Sequence, residues 1–213
     1  MSDKLLHRKD TDAITTLTLN SPNSLNALSN DMLDKLQFEL DSLKRDPNIR
    51  VIIINGSGKA FCAGHDLKEM TLSRQDKDGG KAAFKALFDK CSKMMQTIPT
   101  LPQPVIAQVH GIATAAGCQL VASCDLAVAD EDTKFGVNGV NIGLFCSTPM
   151  VAVSRKINRK PMMKMLLTGD PIKANYAKEI GLINDYFSKS KLNSEVFKIA
   201  KKIASKSNLT IKI

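Results

Sequence analysis

The sequence predicts an α/β fold, and three observations carry that prediction. Apolar runs of strand length alternate with segments of helical periodicity. The run Val51-Ile52-Ile53-Ile54 has no polar face, as expected of a buried parallel strand. With 213 residues, 43% of them hydrophobic, and no Pro/Gly/Ser-rich linker, residues 1–213 read as a single domain able to bury a core without staples.

In chain order, residues 13–19 have strand composition and end at the turn cluster Ser21-Pro22-Asn23. Met32, Leu36, Leu40 and Leu43 recur at helical spacing across residues 30–45, with Asn30 as the expected cap and Asp46-Pro47-Asn48 as the stop. After the 51–54 strand, a polar stretch over 73–80 is expected as a mobile loop. Phe84, Leu87, Phe88, Cys91, Met94, Met95 and Ile98 then mark an amphipathic helix. Residues 105–109 form the next strand, 115–123 a short helix and 126–129 another strand. Further helices are expected over 161–167, over 173–180 with Gly181 closing it, and over 194–204.

Composition narrows the function classes. Five cysteines form no C-x-x-C pair, and the first 15 residues lack an apolar signal core, so a reducing compartment is expected. The apolar stretch over 104–129 is interrupted by Gln108, His110, Gln119 and Asp125, which fits buried strands and a helix better than a membrane span. Residues 151–213 hold 14 basic and 4 acidic side chains, the whole of the net charge of +9. Such a surface suits a solvated lysine-rich face or a phosphate-bearing small molecule; no aromatic-interleaved basic motif points to nucleic acid. Gly56-Ser57-Gly58-Lys59 lacks the spacing of a phosphate loop, no G-x-S-x-G is present, and His7, His65 and His110 lack the spacing of a metal site.

One internal similarity points to chemistry. The strand at 51–54 leads through Gly56 and Phe61-Cys62-Ala63-Gly64-His65 into a helix; the strand at 105–109 leads through Gly111 and Ala113-Thr114-Ala115-Ala116-Gly117 into another. Small residues let a ligand approach the backbone, and a helix start leaves N–H groups unpaired. Two such turns on adjacent strands can aim two donors at one oxygen, the requirement of an oxyanion hole.

The blocks 61–70 and 110–129, with Phe135-Gly136, Leu167-Thr168-Gly169-Asp170 and residues 177–182, resemble the signature of the enoyl-CoA hydratase/isomerase (crotonase) superfamily over about residues 10–205. The resemblance implies a crotonase-like spiral of repeated β-β-α turns that binds a fatty acyl-CoA and polarises its thioester carbonyl, with coenzyme A as part of the substrate and no separate cofactor. By position, the oxyanion donors are the backbone N–H groups of His65 and Ala116. Ala63, His65, Asp66, Leu67 and Lys68 would line the coenzyme A path, with Ala27 and Leu28 in addition. Hydratases of the family carry two glutamates where this chain has Gln119 and Gly139. Ordinary two-carboxylate hydration is therefore not expected; Gln119 retains only hydrogen bonding. Of the substitutes His65, Asp66, Asn138 and Asn141, Asp66 is expected to cap the helix after the first turn, while Cys62 and Cys118 are expected as packing residues.

The resemblance further implies a homotrimer or hexamer and a mitochondrial location. Two features work against these expectations: the chain stops at Thr210-Ile211-Lys212-Ile213, with the family's C-terminal helices largely missing, and residues 1–15 contain Asp3, Asp10 and Asp12 rather than an Arg-rich transit peptide. A cytosolic protein is the alternative location. A non-catalytic binding or assembly subunit, associating with active homologues, is the alternative function.

Overall fold

A computed structural model describes residues 5–211; Asp3 and the closing Lys212-Ile213 lie outside the described residues. The strands are β1 (Leu6–Thr11), β2 (Ile14–Leu19), β3 (Val51–Gly56), β4 (Val105–Val109), β5 (Ile112–Thr114), β6 (Leu126–Asp130), β7 (Lys134–Gly136), β8 (Ile172–Lys173) and β9 (Asp185–Phe187). The helices are α1 (Asn30–Leu43), α2 (Leu67–Ser73), α3 (Lys81–Thr97), α4 (Ala116–Ser123), α5 (Ser147–Val153), α6 (Arg159–Thr168), α7 (Ala174–Glu179), α8 (Lys189–Ala204) and α9 (Asn208–Ile211).

Six strands form one sheet in the order β1-β2-β3-β4-β6-β9, antiparallel only at β1-β2. The registers Ile14 to Val51, Ile52 to Val105 and Ile106 to Leu126 place the apolar runs side by side. A second, three-stranded sheet has the order β5-β7-β8. Side chains of the large sheet alternate between two apolar clusters. Ile52, Ile54, Val105 and Ala107 join the larger cluster with α1, α3 and α4, whereas Val51, Ile53, Ile106 and Val128 pack under Leu192, Val196 and Ala200 of α8. Burial on both faces explains why β3 reads as an unbroken apolar run.

Helix α1 buries Met32, Leu33, Leu36, Leu40 and Leu43, and each such leucine removed from water contributes about 1.5–3 kcal/mol. Its cap corrects the expectation at Asn30. Ser29 is extended and its hydroxyl accepts from the Met32 N–H at 3.2 Å, while Asn30 is the first helical residue. The Asn30 amide instead donates to Glu69 of α2 at 3.0 Å. The last long helix begins at Lys189, earlier than position 194. Part of the expected loop over 73–80 is a chain of turns after α2, and there the Asp78 carboxylate accepts from the N–H groups of Gly80 and Ala82 at the start of α3. Among the described residues no helix is long and apolar enough to cross a membrane.

Candidate functional site

Two turns leave the adjacent central strands β3 and β4 on the same side of the sheet and lock together. From the first, the N–H of Cys62 donates to the Ile112 carbonyl, and the Cys62 carbonyl accepts from the N–H of Thr114, both at 3.1 Å. The Thr114 hydroxyl reaches the Ala63 carbonyl at 3.1 Å. Close approach is possible because of two glycines. A methyl group on Gly117 would stand 2.1 Å from the Cys62 carbonyl oxygen, and one on Gly64 would stand 3.0 Å from the Ala115 Cβ and 3.4 Å from the Ala116 nitrogen. Gly64 also has φ +99°, a conformation that other residues rarely adopt.

The predicted donors, the backbone N–H groups of His65 and Ala116, follow these contacts directly. Neither has a hydrogen-bond acceptor among the described residues, although Ala63 and Ala115 on either turn donate to Leu25 and Gly136. Ala116 is the first residue of α4, where an N–H has no partner within the helix. The residue before it, Ala115, is strained at φ 49° and ψ −120°. Such backbone costs of order 1–3 kcal/mol and persists only where its surroundings impose it. Sequence reasoning missed this residue as a site element; the signal available was an alanine in a glycine-like position between Thr114 and Gly117.

Ala27 and Leu28 are brought to the first turn: the Leu28 N–H donates to the Gly64 carbonyl at 2.7 Å, pairing Leu28 with His65. Asp66 is the cap that its sequence position suggests, accepting from the N–H groups of Lys68 at 2.8 Å and Glu69 at 3.3 Å. Leu67 and Lys68 are exposed on the first turn of α2. The His65 ring meets the edge of Phe88 with centroids 5.3 Å apart, and its Nδ1 is enclosed without a partner. Burial pushes its pKa below the ordinary histidine value, against a smaller raising effect of the Leu28 backbone, so the imidazole is neutral at physiological pH.

Gln119 lies one turn beyond Ala116, its backbone N–H bonded to the Ala115 carbonyl at 3.0 Å. Gln119 is 7% exposed and its Oε1 is buried without a donor. Gly139 sits in a 3₁₀ segment, Asn138–Ile142, and its N–H donates to Cys146 Sγ at 3.3 Å. A side chain at 139 would start 2.5 Å from the Leu144 carbonyl oxygen and 2.8 Å from Cys146 Sγ. The glycine is therefore packed in place, and the local backbone leaves no room for a side chain there. Asn138 is exposed, and the Asn141 amide donates to the Gly169 carbonyl at 3.5 Å. All five thiols are free and buried. Burial pushes Cys62 and Cys118 up to about 12, which holds both as neutral packing groups.

Comparison with known proteins bears on the family and the fold. Residues 9–213 match the sequence model of the family described as Enoyl-CoA hydratase/isomerase. The chain is 46% identical over 198 residues to the mitochondrial enoyl-CoA hydratase domain-containing protein 3 of Xenopus laevis, an alignment covering 93% of this chain and 66% of that protein. It thus spans just under two thirds of that relative's length. The crystal structure of a Mycobacterium smegmatis enoyl-CoA hydratase superposes with a TM-score of 0.94 at 46% identity, covering 99% of this chain and 80% of that one. Human enoyl-CoA hydratase domain-containing protein 3 gives 0.92 at 42% identity, covering 98% and 81%.

Proposed function

Because the chain belongs to the enoyl-CoA hydratase/isomerase family, we propose that it binds a fatty acyl-CoA or related thioester in mitochondrial lipid metabolism and polarises the thioester carbonyl with the N–H groups of His65 and Ala116. The observation that carries this reading is the pair of interlocked turns, on which, among the described residues, the N–H groups of His65 and Ala116 have no acceptor. Each such donor is typically worth about 3–4 kcal/mol of transition-state stabilisation. The location rests on the relatives named mitochondrial.

The acid/base half of ordinary hydration is not supported. Gln119 does not titrate, Gly139 has no side chain, and the Nδ1 of His65 is enclosed by protein. The reactions compatible with the site need stabilised negative charge on oxygen more than a glutamate pair: decarboxylation, thioester hydrolysis or double-bond isomerisation. Calorimetric titration with crotonyl-CoA and a longer acyl-CoA, followed by mass spectrometry of the same mixtures, tests the reading. Binding without hydration is the expected outcome; hydrated product would overturn the account of Gln119 and Gly139. Ala116→Pro removes one donor, and acyl-CoA affinity and turnover unchanged in a folded variant would sink the oxyanion assignment.

A second reading, a non-catalytic assembly subunit for active homologues, is favoured by one observation. Ile142, Leu144, Phe145 and Val151 are 64%, 47%, 47% and 48% exposed and cluster in sequence from the end of the Gly139 segment into α5. Size-exclusion chromatography with light scattering addresses it: a stable monomer that associates with no homologue removes the assembly reading.

A further inference from the structure

A cleft of about 430 Å³ opens between α3, α4 and α5, with Gln119 and Ser123 of α4 on its inner wall. Its lining is mixed. Met95, Ala122 and Val151 supply apolar surface, while Ser92 and Thr148 contribute hydroxyls and Arg155 and Lys156 stand at the end of the chain segment that follows α5. No acidic residue lines it. Among the described residues, neither the Arg155 nor the Lys156 side chain makes an ion pair or a hydrogen bond, and the Thr148 hydroxyl is also without a partner. Lys156 lies near enough to the C-terminal end of α4 to act on the Cys124 thiol there.

These features are ordered along one helix. Ala116, Gln119 and Ser123 fall at steps of three and four residues and share a face of α4. At 1.5 Å per residue, the axis from Ala116 to Ser123 runs about 10 Å. A thioester carbonyl held at the Ala116 N–H would send its acyl chain past Gln119 toward Ser123, into a cleft whose far end is cationic. Gln119 is the inner polar contact, more than nine-tenths buried and with its amide oxygen unpartnered. Thr148, Arg155 and Lys156 are exposed at the cleft's rim, where a saturated hydrocarbon tail offers them no charge or hydrogen-bond partner.

We propose that the cleft selects acyl thioesters whose acyl chain ends in a carboxylate, which Arg155, Lys156 and the Thr148 hydroxyl receive. The proposal rests on the acyl-CoA reading above and names the substrate class for the same site.

Isothermal titration of adipyl-CoA and suberyl-CoA against hexanoyl-CoA and octanoyl-CoA, with the full chain, tests it. Charge-assisted hydrogen bonds predict that the carboxylated thioesters bind about tenfold tighter. An Arg155→Ala/Lys156→Ala double variant, altered only at exposed side chains, reduces that preference to about threefold or less while leaving octanoyl-CoA affinity unchanged. Equal affinity for the two classes overturns the selection. A double variant that weakens both classes equally assigns the two cations to the coenzyme A phosphates and also overturns it. If none of the four thioesters binds, the acyl-CoA reading itself fails, a result distinct from loss of selection alone.

Discussion

At the scale of single residues, Gln119 and Gly139, the two positions that the family resemblance assigns to the hydratase glutamates, differ physically. Gln119 keeps the volume and reach of a glutamate and loses only its charge, so Gln119→Glu is accommodated sterically. Gly139 is packed against the Leu144 carbonyl and Cys146 Sγ, so a new Cβ forces the 3₁₀ segment to move. Gly139→Glu is expected to cost about 1–3 kcal/mol, as overpacking does, whereas the cost of Gln119→Glu is desolvation of a carboxylate where the amide oxygen already lacks a donor, and it falls as pH is lowered. Denaturant unfolding of the two variants at two pH values checks this; a Gly139→Glu protein as stable as the parent would show that the segment yields easily. The same reasoning applies to Ala115, whose strained backbone orients the peptide that ends in the Ala116 N–H.

At the scale of elements, α2 has only 7 residues and buries none of them fully, so its existence depends on its ends and its ties to other helices. The Asp66 cap supplies two acceptor contacts to its first turn, and Glu69 fastens it to the backbone and side chain of Asn30 at the start of α1. Asp66→Ala is expected to cost about 1 kcal/mol and to raise hydrogen exchange in α2 before any other helix. Because His65 immediately precedes the cap, the same variant should weaken acyl-CoA binding. Exchange in α2 that matches the parent would mean that the Glu69 contacts alone hold the helix.

For the whole molecule, the pH dependence of stability follows from groups whose protonation changes on folding. His65 has its folded pKa depressed below the ordinary histidine value near 6.5 by burial. The unfolded chain then binds more protons in the window just below 6.5, so stability is fully present above it and falls as pH drops toward the folded pKa. Asp10 is held below the usual carboxylate range by its hydrogen bond from Arg8, so its contribution is lost only at lower pH, through its folded pKa. Chemical denaturation between pH 7 and 5.5 should show a decline for the parent protein and a flatter profile for His65→Asn. Superimposable profiles would remove His65 as the source. The Arg8 cluster with Asp10, Glu39 and Asp46 ties β1 to α1 and the segment after it, but its partial exposure keeps each pair to about 1 kcal/mol or less.

What the sequence by itself determined is what short-range pattern can encode. The strands β3, β4 and β6 are largely apolar runs of strand length, β2 interleaves Ile and Leu with β-branched Thr, the core faces of α1 and α3 follow the helical period, and Asp66 precedes a helix with the residue type that caps it. The two small-residue turns were legible for the same reason, since their composition repeats after two buried strands. Tertiary structure decided what depends on distant partners. Strands β5, β7, β8 and β9 have at most three residues each, too few for a period, and exist because they pair across the chain. Ser29 and Asn30 are both good caps by type, and the extended backbone at Ser29 chose between them. The strain at Ala115, the packing that holds position 139 to glycine and the cation-ended cleft arise only when residues remote in sequence are pressed together, where steric exclusion and burial, not local preference, set the outcome.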